Sequence, residues 1–152
     1  MINNSTFARL AACGFAVALV GCGGPDGPKL ATVTGTITID GKPVSGAGIQ
    51  LISQEPNGSV AYGMTDESGQ YEMAFGQKRK GAFPGKNKVI LNSDSRISVG
   101  GEKYDGSEVF PPKYNTKSEE FVNVKEGESN VFDFKVEWGD FKPKKPKSTG
   151  GT

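Results

Sequence analysis

The chain has 152 residues, with 18 basic and 17 acidic side chains, no histidine and two cysteines. A balance this close to neutral gives no electrostatic case for a nucleic-acid partner. The lack of histidine removes imidazole general bases, Ser-His-Asp and Cys-His nucleophile systems, and zinc motifs built on histidine.

Residues 1–21 have the parts of an export signal: a polar start carrying Arg9, an apolar core from Leu10 to Val20, and small residues before Cys22. That core is about 11 residues long, against roughly 20 for a helix that spans a bilayer. It is therefore a signal segment, to be left out of the fold. Leu19-Val20-Gly21-Cys22 resembles the lipobox of bacterial lipoproteins. The resemblance implies that the Cys22 thiol takes a diacylglyceryl group, that cleavage falls just before it, and that the new amino terminus is acylated. The alternative is an ordinary cleaved signal followed by an incidental cysteine.

Residues 22–30 then read as lipidated cysteine plus a Gly/Pro tether, Gly23-Gly24-Pro25-Asp26-Gly27-Pro28, suited to a spacer between bilayer and domain. Each buried CH₂ contributes about 0.8 kcal/mol, so two or three acyl chains hold a protein on a membrane without a spanning helix. Gly23, standing where enteric bacteria use Asp to retain lipoproteins at the inner membrane, favours the outer membrane by analogy. Cys13 leaves with the signal and Cys22 is taken by lipid. No thiol is left for a disulfide, a nucleophile or a metal site.

Residues 31–138 read as one all-β domain. Val33, Ile37 and Ile39 share one face of residues 32–39 and threonines share the other, the alternation of a half-buried strand. Asp40-Gly41 is a strong hairpin signal, because both turn positions accept positive φ. Further strands are predicted over 49–52, 60–65, 70–75, 88–92, 120–125 and 131–138, separated by turns rich in Gly, Asn, Asp and Pro. In the last of these, Phe132, Phe134 and Val136 alternate with Asp133, Lys135 and Glu137. Seven short strands predict an antiparallel β-sandwich of Ig-like kind, or a barrel.

Three segments resemble the carboxypeptidase regulatory-like domain: 33–47, Thr65-Asp66-Glu67-Ser68-Gly69-Gln70-Tyr71, and Phe83-Pro84-Gly85-Lys86. With the lipobox in front and Phe110-Pro111-Pro112-Lys113-Tyr114-Asn115 behind, the whole resembles small planctomycete lipoproteins. The resemblance implies a transthyretin-like (prealbumin-like) sandwich that accompanies enzymes, or serves as a surface or adhesion module, without holding zinc ligands of its own.

Between residues 93 and 117 the strand pattern lapses into a polar stretch, with only 97–99 able to form a short strand. Loops this long in a compact domain are uncommon and usually functional or mobile. Tyr104, Phe110 and Tyr114 fall here and are the candidate ligand-binding residues, able to stack on a sugar or grip a peptide of the cell envelope. The competing reading makes Phe110 and Tyr114 pins that hold a cover on the sandwich, with Tyr104 on the surface.

Carboxylates gather as Asp66 with Glu67, Asp105 with Glu108, Glu119 with Glu120, and Glu126 with Glu128, all in turns or at strand ends. A hydrolase working through such a pair is the alternative of another class, since its geometry is set in space. Asp66-Glu67-Ser68-Gly69 lacks the alternating ligands of an EF-hand loop. Residues 139–152 form a Lys/Pro-rich tail expected to be disordered. The sequence thus predicts a non-catalytic, membrane-anchored module of the cell envelope, with no metal and no cofactor.

Overall fold

The computed structural model describes Gly27 and residues 29–104 and 106–145. The export signal, Cys22, most of the tether, Asp105 and the tail from residue 146 lie outside the described residues.

The described chain is all-β and sandwich-like. Strand β1 (Val33–Ile39) buries Val33, Ile37 and Ile39 and leaves its threonines half-covered, as the alternation predicts. At its end Asp40 (φ 47°) and Gly41 (φ 76°) form a two-residue turn with positive φ at both positions. The chain returns as β2 (Lys42–Ser53), whose first two residues pair with β1. The rest of β2 lies between β3 (Val60–Met64) and the long β7 (Gly85–Val99).

Two faces result. The smaller sheet holds β4 (Gln70–Glu72), β1 and, on the far side of β1, β10 (Asn130–Val131) and β11 (Phe134–Val136). The larger runs from β6 (Arg79–Lys80) through β5 (Ala74–Phe75), β3, β2 and β7 to β9 (Phe121–Val124). The short β8 (Glu102–Lys103) folds back on the end of β7. Ile37, Ile39, Ile49, Leu51, Met73 and Leu91 fill the space between the faces and are fully buried.

Eleven strand segments replace the seven expected, each for a local reason. Residues 70–75 divide at Met73, where the chain stops pairing with β1 and begins pairing with β3. Lys80 and Arg79 pair back on β5, and Glu102–Lys103 on β7. Residues 131–138 divide at Phe132 and Asp133, where Asp133 Oδ1 accepts from both the Thr36 amide (2.9 Å) and the Thr36 hydroxyl (2.8 Å) in place of the backbone ladder. Nor is the pairing wholly antiparallel, because β10 and β11 run parallel to β1.

Residues 93–99, expected to fall in a loop with only 97–99 able to form a short strand, continue β7. Val99 and Ser98 pair with Val44 and Ser45 beyond a bulge that the partner strand passes with Gly46 alone. Asp94 Oδ1 holds the bulge by accepting from the Arg96 amide (3.1 Å) and the Ser95 hydroxyl (3.0 Å). These bonds, the Arg96 amide first, hold the Asp94 carboxyl below the usual carboxylate range. The polar run is a strand because its charged side chains point to water while Ile97 and Val99 stay in the core.

Candidate functional site

The aromatic segment after β7 is an ordered cover. Tyr104 is 2% exposed and Phe110 1%, so neither offers a ring face to a ligand. Tyr104 meets Trp138 edge to face, with ring centroids 5.8 Å apart. Its hydroxyl donates to Glu102 Oε2 at 3.1 Å, and the same carboxylate pairs with Lys145 in the tail. Lys145 first, then Tyr104, holds the Glu102 carboxyl low. Burial first, then the Glu102 bond, pushes the Tyr104 phenol up. Tyr114 is half-buried, in the 3-10 turn Pro112–Tyr114, with Lys113 Nζ 4.8 Å from its ring centroid. The expected platform of three accessible rings is therefore reduced to one partly covered tyrosine.

Glu108 does most to order this cover. Its carboxylate accepts from the Ser93 hydroxyl (2.7 Å), the Phe110 amide (2.9 Å), the Asn115 side-chain amide (2.6 Å) and the Ser93 amide (3.3 Å). The Ser93 hydroxyl accepts in turn from the Val109 amide (2.9 Å), and Trp138 Nε1 donates to the Val109 carbonyl (2.8 Å). Phe110 and Val109 are thus held in the core by polar groups on both sides. In the sequence Glu108 is visible only as one half of a carboxylate pair, and nothing there signals that it is a loop organiser. Asn130 plays the same part in the turn before β10, where its side chain accepts from the Lys125 amide at 2.8 Å and donates to the Lys125 carbonyl at 3.0 Å.

The smaller sheet presents an open groove of about 540 Å³ lined by Thr34, Thr36, Gln70 and Tyr71, with Met64 and Val131 at its rim. Asp66, Glu72 and Asp133 bring carboxylates to it, each already engaged in the fold. Asp66 Oδ1 accepts from the Ser68 (2.8 Å) and Gln70 (2.9 Å) amides, and Glu72 pairs with Lys80 at 2.8 Å. Burial first, then the Asp133 charge, pushes the Tyr71 phenol well above its ordinary range, so it stays protonated and donates. That hydroxyl donates to the Phe132 carbonyl at 2.7 Å, so it too is engaged in the fold.

Among the described residues, no three carboxylates or thiols gather into a metal-sized cluster. Asp94 and Glu102 are both pushed toward the ionised form, opposite to what a proton-donating carboxylic acid requires. Asp105 lies outside the described residues, so the spacing of the Asp105 and Glu108 pair is not defined. No family model matches the chain, no curated protein matches it, and no solved structure matches its fold.

Proposed function

We propose that the chain is a lipoprotein held on the outside of a bacterial membrane by acyl chains on Cys22, with a non-catalytic β-sandwich that serves as a binding or structural module of the cell envelope. The observation that carries this reading is Leu19-Val20-Gly21-Cys22 at the end of an apolar run too short to span a bilayer. The structure supports it from the other side. Ala31 is already tied into the sandwich, its amide donating to the Ala82 carbonyl at 2.9 Å, and it stands nine positions after Cys22. Among the described residues no helix is long and apolar enough to cross a membrane.

In this reading the domain is a carboxypeptidase regulatory-like, transthyretin-like sandwich of the type found in small planctomycete lipoproteins. The Asp40-Gly41 hairpin and the Asp66-Gly69 turn, which carry that resemblance, are both built as tight turns. The outer membrane is the favoured site and envelope polysaccharide or protein the favoured partner. Lipid supplies location, the tether supplies reach, and the two sheets supply a rigid platform.

Membrane fractionation of cells producing the wild type beside Cys22→Ala tests the proposal. Wild-type protein is expected in the membrane pellet and the variant in the soluble fraction. Equal distribution of the two would rule out the anchor.

A further inference from the structure

The outer face of the larger sheet carries apolar side chains where a solvated face would carry polar ones. Tyr62 (55% exposed), Met64 (53%) and Phe121 (41%) stand out from it. The ladder register puts them on one surface. Tyr62 lies beside Gln50 and Gln50 beside Ile90, while Val60, Ile52, Lys88 and Phe121 form the neighbouring row. Ile52, Val60 and Ile90 are half-buried, joining the three exposed side chains into a continuous strip. Apolar strips of this kind on a monomer mark contact surfaces.

The charge on this face is basic around Phe121. Lys88 sits within the strip and Lys86 beside it, with Lys86 Nζ 4.2 Å from the Phe121 ring centroid. Acidic groups border it: the Glu55 carboxylate accepts from the Lys86 amide at 3.3 Å, and Met64 stands at the rim of the groove that carries Asp66, Glu72 and Asp133. Glu72 answers Lys80 at the β6 edge.

The tether leaves the domain at the β6 edge of this sheet. Ala31 bridges to Ala82, two residues past β6, and an added Cβ at Gly27 would overlap the Arg79 guanidinium. Lys80 pairs with Ala74, and Ala74 with Tyr62, so the exit at Ala31, one strand beyond, lies three strand spacings from Tyr62, roughly 15 Å. Eight residues lie between Cys22 and Ala31, spanning at most about 30 Å when fully extended.

We propose that the outer face of the larger sheet docks on the anionic lipid surface to which the tether holds it, with Tyr62, Met64 and Phe121 at headgroup level and Lys86 and Lys88 on lipid phosphates. The inference rests on acylation of Cys22. Tethering makes a weak face sufficient, since docking becomes an intramolecular event at high effective concentration. Each lysine near an anionic surface is worth roughly five-fold in the docking equilibrium, and the two together roughly thirty-fold.

The test uses the acylated protein in vesicles. With Cys22 blocked by lipid and Cys13 removed with the signal, a cysteine introduced by Gln50→Cys is the sole free thiol, and a polarity-sensitive dye there sits at the centre of the strip. A second protein labelled through Lys135→Cys reports the opposite, smaller sheet. Vesicles are phosphatidylcholine alone, or phosphatidylcholine mixed with phosphatidylglycerol, each with and without brominated acyl chains.

A blue shift and bromine quenching at position 50 are expected in the anionic vesicles and not at position 135. Lys86→Glu with Lys88→Glu should abolish both effects while the protein still sediments with the vesicles. Equal response at the two positions, or none at position 50 in acylated protein, overturns the docking face and leaves the anchor standing. A shift that ignores lipid charge and grows with the protein-to-lipid ratio assigns the face to a second copy, which also overturns it. Intact mass showing an unmodified Cys22 identifies failure of the anchor itself, and the docking inference fails with it.

Discussion

The Tyr71 hydroxyl donates to the Phe132 carbonyl at 2.7 Å, directly over the bare Cα of Gly35. A side chain at position 35 would overlap that carbonyl and approach the Tyr71 hydroxyl as well. This is where the chain passes from β10 to β11 while keeping its register with β1. We expect Gly35→Ala to destabilise the domain by about 3 kcal/mol, the upper range for overpacking. Tyr71→Phe leaves the carbonyl without its donor and should cost about 1–2 kcal/mol. Urea unfolding of both variants checks the order, and wild-type midpoints for Gly35→Ala would refute this role for the glycine.

Tyr71 also sets a pH dependence. Its phenol is raised in the folded state, whereas in the unfolded chain it ionises near its ordinary value of about 10. The unfolded state therefore releases the proton first. The contribution of this phenol to stability should be level below about pH 10 and fall as pH rises beyond it. Tyr104, also raised by burial, adds to the same loss. Thermal unfolding followed from neutral to strongly alkaline pH should show a shallower decline in Tyr71→Phe, and identical slopes would contradict the assignment.

The 93–117 segment should behave as structure. Glu108→Ala removes four acceptor contacts at once, yet the carboxylate is solvent-exposed, so the global loss should be about 1 kcal/mol. The larger effect is local. Hydrogen exchange at the Val109 and Phe110 amides should accelerate in the variant while β1 and β2 amides change little. Unchanged protection at Phe110 would mean that packing alone holds the cover.

Gly41 serves differently from Gly35. An added Cβ there meets nothing within 4 Å, but its φ of 76° is one that other residues rarely adopt. Gly41→Ala should cost about 1 kcal/mol, and Gly41→Asn less, because asparagine tolerates the left-handed region. Equal loss for the two, read from thermal unfolding, would place the cost elsewhere than in backbone conformation.

Much of the larger plan is legible in local pattern. The alternation of Val33, Ile37 and Ile39 fixes the facing of β1, and Asp40-Gly41 fixes its turn. Phe121 points away from Val124, as the sequence requires. The misses involve partners far along the chain. Alternation runs unbroken through Phe132 and Asp133, so nothing local shows that a carbonyl will face Gly35 or that Asp133 will replace a ladder bond. Parallel pairing of β1 with β10 and β11 joins segments about a hundred residues apart, beyond any local signal. The rings of Tyr104 and Phe110 sit in a segment without periodicity, and a tyrosine or phenylalanine there gives no indication of facing. Their burial follows from Trp138 and Glu108, contacts set by the fold.

The central claim is covalent, and the intact mass of the protein purified from the membrane fraction tests it most directly. The expected species is a polypeptide that has lost residues 1–21, beginning at Cys22 and carrying a diacylglyceryl group with or without a third acyl chain. A full-length chain, or one cleaved elsewhere with an unmodified Cys22, would contradict the claim.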